Sequence, residues 1–102
     1  MARIGTFEFG APLWRHPGAD GWHFVSLPAE VSAEITDITA GGRRGFGSVR
    51  VDVTVGATSW RTSIFPDSKT GLSLLPVKKA VRMAEHLEAG HEVRAHLQVA
   101  DL

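Results

Sequence analysis

Apolar and polar side chains alternate strictly, residue by residue, along two stretches of this chain. Val49, Val51, Val53 and Val55 alternate with Ser48, Arg50, Asp52 and Thr54. Further on, Val93, Ala95, Leu97 and Val99 alternate with Glu92, Arg94, His96 and Gln98. Successive side chains of a strand point to opposite faces, so each segment presents one buried and one wet face. From Thr58 to Phe65 the same rule sets Trp60, Thr62 and Ile64 opposite Ser59, Arg61, Ser63 and Phe65. Trp22 to Leu27 is apolar on both faces apart from His23 and Ser26, which predicts a central or covered strand. Arg3 to Trp14 reads as another strand, in which Gly10 and Pro12 predict a bulge or edge near its end.

Two segments carry helical spacing instead. After Pro28, Val31, Ile35 and Ile38 fall on one face, with Glu30 early, where a carboxylate suits the helix dipole. After Pro76, Val77, Val81 and Ala84 repeat that spacing, and Ala80 and Leu87 widen the stripe. Proline in the first turn and Gly90 past the end are the expected start and stop signals. Set side by side, residues of about 1–56 and 57–102 show the same order of parts. Each half has a strand, a turn, a second strand ending in Leu-Pro (Leu27-Pro28, Leu75-Pro76), a helix, then an alternating strand. The expectation is a duplicated β-β-α-β unit closed into one six-stranded, mainly β barrel with two short helices. A half of about 50 residues buries too little to stand alone, and pairing the halves removes its open sheet edges.

At 102 residues, with 43% hydrophobic residues, the chain suits one domain spanning 1–102. It has no cysteine, which removes disulfides, thiolate metal sites and Cys nucleophiles. Eleven Lys and Arg balance eleven Asp and Glu, and nonspecific nucleic-acid binding normally needs a basic excess. The start has no apolar run of the length of a signal peptide or membrane span, so a soluble cytoplasmic protein is expected.

Several blocks carry a resemblance. Phe7-Glu8-Phe9, Leu13-Trp14 and Trp22 to Pro28 open it, and Arg44 to Val49 and Trp60 to Pro66 continue it. Leu75 to Arg82 and Gly90 to Val93 close it. Together they resemble the bacterial family called domain of unknown function nineteen-oh-five, over nearly the whole chain. The resemblance implies a closed six-stranded barrel with two helices, and no established activity. It also implies an acidic residue after the glycine where this chain has His91, so a turn-stabilising carboxylate is missing there.

Candidate chemistry concentrates on the second helix. Lys78 and Arg82 are four apart and share a helical face with Lys79 beside them. With Arg61, or Arg43 and Arg44, they could cradle a phosphate or carboxylate, because arginine forks bind such groups bidentately. The bland reading is a solvated face whose stems cover the barrel. The glycine-rich stretch Gly41 to Gly47 follows a helix and enters a strand, the reverse of a phosphate loop. His16, His23, His86, His91 and His96 match no common ligand spacing, so neither a metal nor any other cofactor is expected. His23, between two aromatics, reads as a hydrogen-bonded interior histidine. Trp14, Trp22, Trp60, Phe24, Phe46 and Phe65 read most simply as core and barrel-end packing, with an aromatic pocket at the barrel mouth as the alternative. Ser59 and Ser63 lack a nucleophile motif, and no carboxylate pair stands out for acid–base work.

These features support a non-enzymatic binding or interaction module for a small anionic ligand or a protein partner. Its candidate site is Trp60, Arg61, Ser63, Lys78 and Arg82. The alternative is a DNA-binding regulator: Leu75-Pro76, Val81-Arg82, Leu87 and Gly90 to Val93 are faintly similar to the swapped-hairpin barrels of transition-state regulators. Those carry a strongly basic face, and this chain is neutral.

Overall fold

The alternating segments form the wall of a barrel. The structure, a computed structural model, describes residues 4–18, 21–41 and 47–100. Its elements are β1 (Thr6–Arg15), β2 (His23–Ser26), α1 (Ala29–Ile38), β3 (Val49–Val55), β4 (Thr58–Pro66), β5 (Ser73–Pro76), α2 (Lys79–Ala84) and β6 (Glu92–Val99). The six strands close in the order β1-β2-β5-β4-β3-β6, and every neighbouring pair is antiparallel. Exchanging β1, β2 and β3 with β4, β5 and β6 returns the same set of neighbours. The likeness concerns order and pairing alone: α1 has ten residues and α2 six. No helix among the described residues is long and apolar enough to cross a membrane.

Alternation puts one side chain in two inside. Phe7, Phe9, Ala11 and Leu13 of β1 meet Val93, Ala95, Leu97 and Val99 of β6, with Phe7 opposite Leu97 and Phe9 opposite Ala95. Val49 to Val55 of β3, Val25, Ile64 and Leu75 complete the lining, and Ile35 of α1 and Val81 of α2 are buried with them. Each Val, Leu, Ile or Phe among them, fully buried, contributes about 1.5–3 kcal/mol relative to exposure. Beyond Phe7 and Phe9, the tryptophans, Phe24 and Phe65 do not fill this core as expected. Trp22 and Phe65 are exposed, Trp14 and Phe24 half-buried, and Trp60 packs against the core from its edge. Only the outer face of β2 is aromatic, so β2 is not covered on both sides. Phe46, Arg43 and Arg44 lie outside the described residues.

Three local expectations need correction. First, β1 runs unbroken past Gly10 and Pro12. Leu13 donates its N–H to the His91 carbonyl at 2.8 Å, so the nitrogen of Pro12, one residue earlier, faces away from β6 and costs no ladder bond. Pro12 marks the place where β1 passes from β6 to β2. Second, neither proline lies inside a helix: Pro28 caps α1, and Pro76 ends β5 opposite Phe24, with α2 starting at Lys79. Third, α2 stops at Ala84, well before Gly90, and His86 takes the left-handed backbone there with φ 54°. Less than two turns long, α2 buries Val81 and leaves Ala80 and Ala84 exposed. At the missing carboxylate, the Nδ1 atom of His91 accepts the N–H of Glu88 at 3.2 Å and ties the turn itself.

Candidate functional site

A short fifth strand creates the site. β5 pairs with β4 only through Phe65 and Pro66, whereas β4 pairs with β3 from Thr58 to Ile64. At Pro76 the chain leaves the sheet for α2, held on the β2 side by the Val77 N–H bonded to the His23 carbonyl at 2.9 Å. Between the first half of β4 and this β5–α2 junction lies a cleft of about 420 Å³. Its lining brings together Trp60, Thr62 and Phe65 of β4, Trp22 and His23 at the start of β2, and a rim of Val77, Lys78, Lys79 and Arg82 at the start of α2.

Its electrostatics are one-sided. Arg82 is half-buried and its Nε–H donates to the Val77 carbonyl at 3.1 Å, which fixes the guanidinium and leaves its terminal nitrogens for another partner. Lys78 and Lys79 are exposed on the same rim. Among the described residues no carboxylate comes within ion-pair distance of Lys78, Lys79 or Arg82. Arg61 is engaged differently: its Nε and a terminal nitrogen hold both oxygens of Asp52, at 2.8 and 3.3 Å, across the β3–β4 pair. That guanidinium holds the Asp52 carboxyl below its ordinary range.

Four of the five expected residues, Trp60, Arg61, Lys78 and Arg82, therefore line one cleft. Ser63 does not. It shares the outward face of Arg61 and lines an open depression with Arg50, Arg61, Thr62 and Phe65 instead. Trp22, His23, Thr62 and Phe65 belong to the cleft and were not read as site residues from sequence. What joins them is the register Phe24↔Pro76, which sets the start of β2 beside the start of α2. His23 is half-buried, and its Nδ1 bonds the Gly21 carbonyl at 2.7 Å, which in the neutral ring leaves the lone pair on Nε2. Among the described residues, no three His, Asp or Glu side chains group so as to hold a metal ion.

Beyond Trp22 the outer surface stays aromatic. Trp22 stacks on Phe24 with centroids 5.9 Å apart and planes 12° apart, and Trp14 leans on the same ring at 5.2 Å. Trp14 Nε1–H donates to Ser26 Oγ at 2.9 Å, which holds that indole along β2. Trp22 and Phe24, with His16, Gly18, Phe65 and Leu74, line a second groove of about 430 Å³.

The architecture and the sequence blocks that build it agree with a comparison against protein families. Residues 9–97 match the family described as Domain of unknown function (DUF1905), a description that assigns no activity. No curated protein matches the chain. With the match running through all six strands and both helices, the chain belongs to the DUF1905 family.

Proposed function

We propose that this barrel is a non-enzymatic binding module that takes a small anionic ligand in the cleft between β4 and the β5–α2 junction. The observation that carries the reading is the rim of Lys78, Lys79 and Arg82. Among the described residues these three cations have no carboxylate partner, and they stand beside the aromatic side chains of Trp22, Trp60 and Phe65. Ligand pockets of this kind are concave and largely apolar, with a few convergent polar groups that fix orientation. Arg82 supports it most strongly. Its bond to Val77 orders the side chain before any ligand arrives, so less rotamer entropy is lost on binding. Lys78 and Lys79 add charge without fixed direction, as flexible ammonium groups do. Arg61 is a weaker contributor because Asp52 already occupies its fork.

Thermal denaturation with inorganic phosphate, nucleotides, sugar phosphates and organic acids tests this reading. At ten times its Kd, a ligand stabilises by about 1.4 kcal/mol, a rise of several degrees in Tm for a domain of this size. At least one anion is expected to raise the Tm of the wild type, and the rise is expected to vanish in Lys78→Ala/Arg82→Ala. If no anion stabilises the wild type more than the double variant, each measured against its own unliganded Tm, the reading is wrong.

A further inference from the structure

Trp22 and Phe65 are 54% and 41% exposed, and each lines two concavities at once. On one side is the cationic cleft. On the other is the groove completed by His16, Gly18, Phe24 and Leu74, which among the described residues has no Lys, Arg, Asp or Glu in its lining. The two hollows share Trp22 and Phe65, and among the described residues that line them the charged side chains all belong to the cleft. We propose that the ligand is a single amphiphile, with an anionic head at Lys78, Lys79 and Arg82 and an unbranched apolar tail that crosses Trp22 and Phe65 into the groove. This rests on the anion-binding reading above and extends it to the rest of the molecule bound.

Three observations favour a flexible tail on a small molecule. Both hollows, at about 420 and 430 Å³, lie in the size range of small-ligand sites, whereas a protein partner favours a broad, flatter patch. The parallel ring pair of the groove, Trp22 and Phe24, is already stacked on itself, and His16 meets Phe24 edge-on at 6.5 Å. Stacking covers one face of each ring, and the surface that remains runs from Trp22 and Phe65 to the aliphatic Leu74, an apolar path that a chain of methylenes can follow. A purely polar anion, moreover, would leave two large exposed aromatics uncovered.

Calorimetric titration of the full chain with inorganic phosphate, butyl phosphate, octyl phosphate and octanol, all below micelle formation, decides it. Each methylene that enters the groove is expected to tighten binding up to about fourfold, so octyl phosphate binds far better than butyl phosphate. Leu74→Ser and, separately, Phe24→Ser, which line the groove and not the cleft, are expected to weaken octyl phosphate at least tenfold while inorganic phosphate stays within about twofold. Circular dichroism confirms that at least one of the two is folded. Equal affinity for phosphate and octyl phosphate overturns the tail and leaves the anion cleft standing; failure of every phosphate to bind overturns both. Octanol binding as tightly as octyl phosphate overturns the head-and-tail arrangement. Co-sedimentation with vesicles of phosphatidylcholine and phosphatidic acid, lost on adding octyl phosphate, would overturn a free amphiphile in favour of a membrane lipid.

Discussion

The Nε–H of Arg82 donates to the carbonyl of Val77 at 3.1 Å, so α2 holds the segment that leads into it. The same bond orients the part of the guanidinium that meets the cleft. Lysine at this position keeps the charge and loses both the bond and the fork. Arg82→Lys is therefore expected to lower stability by about 1 kcal/mol in urea denaturation, the worth of one hydrogen bond. Its anion affinity is expected to fall about tenfold by calorimetry, although the formal charge is unchanged.

Ser32 joins the two halves of the barrel. Its hydroxyl donates to the Leu27 carbonyl at 3.2 Å and accepts the N–H of Ser73 at 3.0 Å, and it is buried in α1. Ser32→Ala leaves the Ser73 N–H without that acceptor in a buried place. The expected cost is about 1–3 kcal/mol in equilibrium unfolding, with the native spectrum unchanged. Glu34 is exposed two residues on, and Glu34→Ala is expected to stay within about 0.5 kcal/mol.

Gly56 is held to glycine twice over. It opens the two-residue β3–β4 turn at φ +59°, and the Glu85 carboxylate lies over it, with the carboxyl carbon 2.8 Å from where a Cβ would stand. Thr58 Oγ1 fixes that carboxylate by donating to Oε2 at 2.6 Å. Gly56→Ala is expected to cost about 1–3 kcal/mol for the backbone alone. In Gly56→Ala/Glu85→Ala the collision is gone and the backbone term remains, so denaturation of the double variant is expected to fall short of the sum of the single losses.

The sequence carries the strands far better than the helix ends. Alternation locates β3 within a residue, Ser48 to Val55 expected and Val49–Val55 found, and it places β6 at Glu92–Val99 as expected. From sequence, Arg61 reads as a ligand cation and its pairing with Asp52 is missed, although a two-residue turn at Gly56-Ala57 sets Val55 opposite Thr58 and counting back sets Asp52 opposite Arg61. Pro76 misled because proline suits both a strand end and a first helical turn, and only the pairing with Phe24 decides between them. The site was half legible for the same reason. Lys78 and Arg82 are neighbours through helix geometry, but Trp22 reaches them through a strand register that no local pattern encodes.

Asp52 gives the account a pH signature. Its folded-state pKa lies below the ordinary value of 3.8, first because of the hydrogen bond from Arg61. A depressed carboxyl pKa adds stability above the unfolded value and loses it as pH falls through the folded one. The advantage of wild type over Asp52→Asn is thus expected to be full near neutrality and to disappear under acid below that lowered pKa. Both partners are exposed, so the difference is expected to stay under about 1 kcal/mol. Carboxyl resonances titrated by NMR check the direction, and in Arg61→Ala the Asp52 midpoint is expected to move upward.

Whether an anion sits against Lys78, Lys79 and Arg82 is read by nitrogen-edited NMR during titration with inorganic phosphate. Saturable shifts are expected in the Arg82 Nε–H, the backbone amides of Val77 to Arg82 and the indole N–H of Trp60. The indole of Trp14, bonded to Ser26 on the outer face, is expected to stay in place. Shifts that fail to saturate, or that spread equally over Arg50, Lys69 and Arg94 away from the cleft, would contradict an anion at that rim.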